Sequence, residues 1–283
     1  MFSMANVLST ADRSAVISAL VEGNSIRSTS RMTGIARNTV TKLLLDLAPV
    51  CAAYADEHLR ELSCKRLQVD EVWAFCYSKQ KNVPEQHKGT FGYGDVWTYT
   101  AICADTKLAP TWLVGQQSAD DAFIFMRDLA SRMANRIQLS TDGNRVYESI
   151  VGHAFNFDVD WAQLQKVYRS DPKDARGKYS PPVCTGTKTV VLKGDPDPDR
   201  ISTSYVERQN LTMRMGMRRF TRLTNAFSKK VENHAAAVGI HFMHYNFARP
   251  HKTLANPYPR TPAMAAGIAD HIWTPREIVE LSN

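Results

Sequence analysis

No apolar run in the sequence approaches the roughly 20 residues needed to cross a bilayer, which argues against a helical membrane protein. The opening MFSMANVLSTADRS lacks the apolar core of a secretory signal, so a cytoplasmic protein is expected. Cysteine is scarce and scattered: Cys51, Cys64, Cys76, Cys103 and Cys184 form no CxxC pair. That argues against a disulfide framework and a cysteine zinc ribbon, and fits reduced, buried thiols. Internal repeats and low-complexity tracts are missing too. The most informative absence is of negative charge. Between Glu207 and Glu232 there is no acid, while Arg208, Arg214, Arg218, Arg219, Arg222, Lys229 and Lys230 accumulate. From Asn24 to Leu45 four basic residues stand with no acid. A solvated helix mixes both signs at i,i+4, so these stretches suit a polyanion. The net charge of +7 is consistent with that.

What is present begins with three apolar-periodic segments in STADRSAVISALVEGNSIRSTSRMTGIARNTVTKLLLDLA. Ser9 or Thr10 caps the first, whose Val16, Ile17 and Leu20 share a face. The second starts near Ser25 and stops at Gly34. The third runs from about Arg37 to Leu47 with Val40, Leu43 and Leu44 inward. IRSTSRMTGIARNTVTKL has helix-turn-helix spacing: small Ser30 permits close approach, Gly34 supplies the turn, and Ile35, Val40 and Leu43 fill the seam. Arg37, Asn38, Thr39 and Thr41 then sit where a recognition helix meets base edges, and Lys42 reaches phosphate. The alternative is a small helical domain with an ordinary basic face. The reading places a helix-turn-helix DNA-binding domain at 1–49 and a linker helix at 50–63.

From Cys64 the period changes. KRLQVDEVWAFCY, DVWTYTAICAD and LAPTWLVGQ read as three strands of an antiparallel meander. SADDAFIFMRDLASRMANR is helical, with Ser118 and Asp121 as a loose capping box. A short strand RIQLSTDGN, a helix NRVYESIVGHAF and a strand WAQLQKVYR follow. This order matches an α/β, ribonuclease-H-like fold, a mixed five-stranded sheet with flanking helices. Residues 64–250 would form that domain, with an insertion at about 170–202 that contains one strand, KTVVLKG, and contacts DNA or a partner subunit. A long helix spans 229–248, and 251–283 form a tail that wraps the catalytic domain.

In that topology the first and fourth strands are neighbours, and the last helix crosses their ends. Asp70 in the first strand, Asp142 at the tip of the fourth and Glu207 at the start of the helix then converge. Packed like charges are costly unless a cation joins them. Hard oxygen donors favour Mg²⁺ or Mn²⁺, and two such ions about 3.5–4 Å apart serve in-line displacement at a phosphodiester. Each acid has a plainer reading: Asp142-Gly143 is a turn signal, and Glu207 suits a helix N-terminus. Asp70 is harder to explain, because an aspartate in an apolar strand is costly to bury. Glu71 points to the opposite face and is left out of the set. His234, His241 and His244 lack the HExxH arrangement, so packing or DNA-backbone contact is expected of them rather than zinc binding.

QVDEVW, LSTDGNRVY, SYVERQNLTMRMGMRRFTRLTNAFSKK and HYNFARPHKTL resemble DDE transposases of the insertion-sequence-one family over nearly the whole chain. The resemblance implies Asp70, Asp142 and Glu207 as catalytic triad and metal ligands. Arg214, two turns after Glu207, looks like the family's basic residue beside the active site, and Asn210 shares its face. The basic run from Arg208 to Lys230 would lie along DNA backbone, giving affinity without sequence choice. Sequence choice would fall to the helix-turn-helix, reading terminal inverted repeats, and two DNA ends imply a homodimer or higher oligomer. Members often carry an N-terminal zinc ribbon; no cysteine pair stands here, so zinc is not expected. Rivals are a nuclease of the same fold, a repressor, and a catalytically silent DNA-binding relative. A tyrosine recombinase would need more than the Arg-Pro-His at 249–251.

Overall fold

In the protein, described by a computed structural model over residues 8–169, 183–221 and 225–283, strand β1 (Arg66–Cys76) divides its side chains between two cores. Leu67 and Val69 join the larger, with Phe125 and Leu129 of α4 (Ala119–Ser131) and Tyr147 and Ile150 of α5 (Val146–Ala154). Val72 and Ala74 join the smaller, with Val206 and Met213 of α6 (Ser204–Gly216) and Val238 and Phe242 of α7 (Val231–Met243). The period of two thus gives one strand two buried faces. Burial of each large apolar side chain contributes about 1.5–3 kcal/mol.

β1 pairs antiparallel with β2 (Gly94–Cys103), which pairs antiparallel with β3 (Trp112–Gly115). On its other side β1 runs parallel to β4 (Ile137–Asp142), and β4 parallel to β5 (Val159–Arg169). This mixed sheet with helices on both faces is consistent with a ribonuclease-H-like fold. The expected five strands are six, in the order β3-β2-β1-β4-β5-β6. β6 (Val183–Lys193), read in the sequence as part of an insertion, pairs antiparallel along β5 and covers that strand's otherwise open edge. Residues 170–182 of the expected insertion, and Arg222, lie outside the described residues.

Ahead of the sheet stand α1 (Thr10–Val21), α2 (Ile26–Thr33) and α3 (Arg37–His58). Ser9 caps α1 by accepting the Asp12 N–H at 3.1 Å, and Ser25 and Ser28 cap α2 reciprocally. Gly34 ends α2 in the left-handed region at φ 74°. The sequence reading ends its third helix at Leu47 and starts a linker at residue 50; α3 instead runs through both positions, Pro49 included. The cause is its buried stripe, which continues from Leu44 and Leu47 to Ala48, Cys51 and Ala55, against α7. Arg132, 6% exposed, finishes α3 by donating to the carbonyls of Ala55 and Leu59 at 3.3 and 3.2 Å, and to Asp56 at 2.8 Å. Cys51, Cys64, Cys76 and Cys103 are free and buried.

The long helix expected over 229–248 is α7 followed by a π-helical turn, His244–Ala248. That turn aims Asn246 at the connection between β2 and β3. Its Oδ1 accepts the Ala109 N–H at 3.0 Å and its Nδ2 donates to the Ala109 carbonyl at 2.9 Å, while Tyr245 donates to the Lys107 carbonyl at 2.9 Å. Asn246→Ala strands both backbone groups of buried Ala109, and we expect a loss of about 2–4 kcal/mol in urea unfolding. A loss under about 0.5 kcal/mol would refute the clamp.

His234, His241 and His244 are 0%, 5% and 9% exposed; burial pushes the first two down to about 3, so those two pack as neutral rings, and burial lowers His244 as well. The C-terminal tail does end in a helix at Pro275, α9 (Pro275–Glu280), after the short α8 (Pro262–Ala265). It packs on more than the sheet domain: α9 lies on α1, where Arg13 donates to Asn283 at 2.7 Å and the Val279 carbonyl at 3.2 Å. No helix among the described residues is long and apolar enough to cross a membrane.

Candidate active site

The parallel register of β1 and β4 sets Val69 beside Thr141. The next residue of each strand is an aspartate, so Asp70 and Asp142 stand side by side where β4 ends. Gly143 then turns the chain close against β5, where a Cβ would lie 3.0 Å from Gln165 Cγ. In that turn the Asn144 N–H donates to Asp142 Oδ1 at 3.1 Å.

Asp70 is held from two sides. One oxygen accepts the Glu71 N–H at 2.9 Å, and the other accepts the Asn210 amide at 2.7 Å. Asn210 is 3% exposed and its own Oδ1 accepts from Thr100 at 3.3 Å. It is therefore a brace for Asp70; the DNA-facing position expected for it does not hold, because α6 packs that face against β1 and β2.

Glu207, on the first turn of α6, accepts the Thr203 hydroxyl at 2.6 Å and the Lys166 ammonium at 2.8 Å. Asp70, Asp142 and Glu207 line one cavity of about 530 Å³, together with Arg145, Glu148 and Lys166. Among the described residues, the group of carboxylates close enough to share a metal is a different one. Single oxygens of Asp70, Glu71 and Asp142 lie within 4.8 Å of one another, and these three can hold a metal ion.

Glu71 is the residue that sequence reasoning left aside. The alternation of β1 does send it to the α5 side, where Tyr147 donates to it and Asn144 donates at 3.4 Å. Asp142 sits at the strand tip, so a long side chain on that side still comes near its carboxylate. The available signal was a pair of consecutive acids inside a strand buried on both faces.

Electrostatics mark the cluster as short of positive charge. Burial, then the charges of Asp142 and Glu207, raise Asp70 to about 6 against its N–H donors. Burial and Asp142 raise Glu71 to about 8. Burial also raises Asp142, with Asn144 and Lys166 pulling it back. Oxygen donors destabilised by one another fit a bound metal cation.

The basic residues are dispersed. α6 stops at Gly216, and Met217 is extended (φ −131°, ψ 104°), so Arg218, Arg219, Lys229 and Lys230 do not continue its face. Arg208 is exposed and Arg214 half-buried on α6; Arg218, Lys229 and Lys230 are exposed beyond it. Arg219 turns inward, donating to Ser228 at 2.9 Å and the Asn233 carbonyl at 2.6 Å, a structural role in place of the expected DNA contact. On α3, Arg37, Asn38 and Lys42 are exposed, Thr39 and Thr41 half-buried, and Lys42 pairs with Asp46.

Neither a family model nor a curated protein matches the sequence. Among solved structures, the crystal structure of the Mos1 strand transfer complex is similar at a TM-score of 0.25 and 9% identity, over 86% of this chain and 77% of that one. A likeness this distant carries no argument.

Proposed function

We propose that the protein is a DDE transposase of the insertion-sequence-one type, which cleaves and joins DNA strands at the ends of a mobile element. The observation that carries this reading is the adjacency of Asp70 and Asp142 on the parallel β1–β4 pair, with Glu207 opening on the same cavity. Asp70, Asp142 and Glu207 would hold two Mg²⁺ or Mn²⁺ ions, which supply activation of the attacking oxygen and charge stabilisation of the leaving one. Asn210 aims the Asp70 carboxylate, and the Asn144 N–H aims that of Asp142. Lys166 reaches the same cavity, where its ammonium can take a phosphate oxygen. Water attacks the phosphodiester, leaving a 3′-hydroxyl that attacks target DNA by the same in-line displacement. Helix α2, the Gly34 turn and the start of α3 serve as a helix-turn-helix that reads terminal inverted repeats through Arg37, Asn38, Thr39 and Thr41. Two ends call for a homodimer or larger assembly acting on the nucleoid in the cytoplasm.

The test is cleavage of labelled duplexes carrying the DNA that borders the coding sequence, with Mg²⁺ or Mn²⁺, for wild type, Asp142→Asn and Glu207→Gln. We expect nicking at the element end by wild type alone. Equal nicking by all three would remove the triad. The Lys166–Glu207 pair favours a second reading, a catalytically silent DNA-binding relative, since a lysine occupies the third acid. That pair is part-exposed, 35% and 40%, and such pairs hold weakly. Tight end binding with no cleavage in either metal would select the silent form.

A further inference from the structure

A cleft of about 840 Å³ lies between the α1–α2 turn and the segment that follows α6. Its walls mix apolar side chains, Leu20, Ile26, Met217, Phe227 and Ile240, with polar ones such as Asn225, Ser228 and His241. Its rim is basic: Arg27, Arg218 and Lys229 are all exposed, and no acid lines it among the described residues. Asn24 and Asn233 add amides, and the buried Asn233 Oδ1 has no hydrogen-bond partner among the described residues. The two sides are fixed in close approach, since a Cβ on Gly23 would come 3.1 Å from the Gly216 carbonyl oxygen. Gly216 lies nine residues along α6 from Glu207. At 1.5 Å per residue that is about 14 Å, or about four 3.4 Å nucleotide steps.

We propose that this cleft binds an unpaired nucleotide of the DNA strand that runs through the active site. The base would lie against Phe227 and Met217, and its phosphate at Arg27, Arg218 and Lys229. The volume falls within the range of about 300–1,000 Å³ found for ligand clefts. Paired, stacked bases present only phosphate to such a rim and leave the apolar walls unfilled; an extruded base fills them and gains stacking. Arg219, spent on Ser228 and Asn233, stiffens the wall and leaves the rim to the other cations.

The inference rests on the DNA reading above, and one binding experiment separates the two. Fluorescence anisotropy would measure a short single-stranded thymidine oligonucleotide, a blunt duplex and free thymidine monophosphate against wild type, Ala237→Trp and Ala226→Trp. Ala237 and Ala226 line different walls of the cleft, and a tryptophan at either fills it. Circular dichroism checks that each variant folds, and the second stands if the first does not. The expected result is single-strand binding weakened about tenfold by either filling variant, the loss of roughly one stacked base, with duplex binding unchanged within about twofold. Arg27→Glu should weaken single-strand binding also. Single-strand affinity indifferent to both tryptophans overturns the inference and leaves the DNA reading intact. Wild type that binds neither single strand nor duplex overturns both. Thymidine monophosphate binding as tightly as the oligonucleotide, with the same loss in the variants, overturns the strand as source and makes the cleft a site for free nucleotide.

Discussion

On the transposase reading, Asp70→Asn should lower the metal-dependent cleavage rate by about 10³-fold or more while leaving DNA binding in place. The size follows from the loss of a metal-binding carboxylate, worth several kcal/mol of transition-state stabilisation, at about 1.4 kcal/mol per factor of ten. The near-isosteric amide keeps an acceptor for the Glu71 N–H but turns its own NH₂ towards the Asn210 amide that donated to Asp70, so circular dichroism must first show the variant folded. DNA binding should hold or improve, because one negative charge leaves a cavity that would face phosphate on this reading. Single-turnover cleavage beside an equilibrium binding titration checks both. A rate within about tenfold of wild type would place the chemistry elsewhere.

The second large effect is on stability. Asp70, Glu71 and Asp142 all have raised pKa values in the fold, so the metal-free folded chain binds more protons than the unfolded chain. Stability from these groups is then fully present below their ordinary values and is lost as pH rises. For Glu71 the window runs from 4.5 up to about 8. In a chelator, wild type should lose on the order of 5 kcal/mol across it through Glu71. Glu71→Gln keeps an acceptor for Tyr147 and removes the charge, so it should match wild type near pH 5 and melt roughly 5 °C higher at pH 8. Mg²⁺ should restore wild type at pH 8 and do little at pH 5. Identical pH dependence of the two proteins in chelator would remove Glu71 from the account.

Much of this was legible in the chain. The β-forming Leu67, Val69 and Val72 with an aspartate among them identified β1, and the pattern around Ile137–Asp142 identified β4 and its tip. One topology then brought Asp70 and Asp142 together, since parallel neighbours align residues without help from side chains. What the pattern could not give is whatever depends on length and reach. Glu71 lies on the expected side of β1 yet comes near Asp142 because glutamate is long and Asp142 is at a strand end. Asn210 and Arg219 carry polar side chains that read as surface, and each is turned inward by a partner distant in sequence, Asp70 for one and Asn233 for the other. The sequence also suggested one continuous basic helix. Gly216 ends it, and a glycine among methionines and arginines gives a weak signal beside so much charge.

The unbroken length of α3 has a consequence for the DNA itself. At 1.5 Å per residue its 22 residues make a strut of about 33 Å, close to ten base pairs at 3.4 Å each. One end carries the residues assigned to reading bases, and the other is anchored under α7 and locked by Arg132. On the proposed transposase reading, such a strut would work as a carpenter's gauge, setting the interval between the sequence gripped by α3 and the phosphodiester cut at Asp70. An element end that gained or lost a few base pairs inside that interval would then still be gripped, but it would present the wrong bond. The boundary of the mobile segment would be written as much in the length of one helix as in the letters of the repeat.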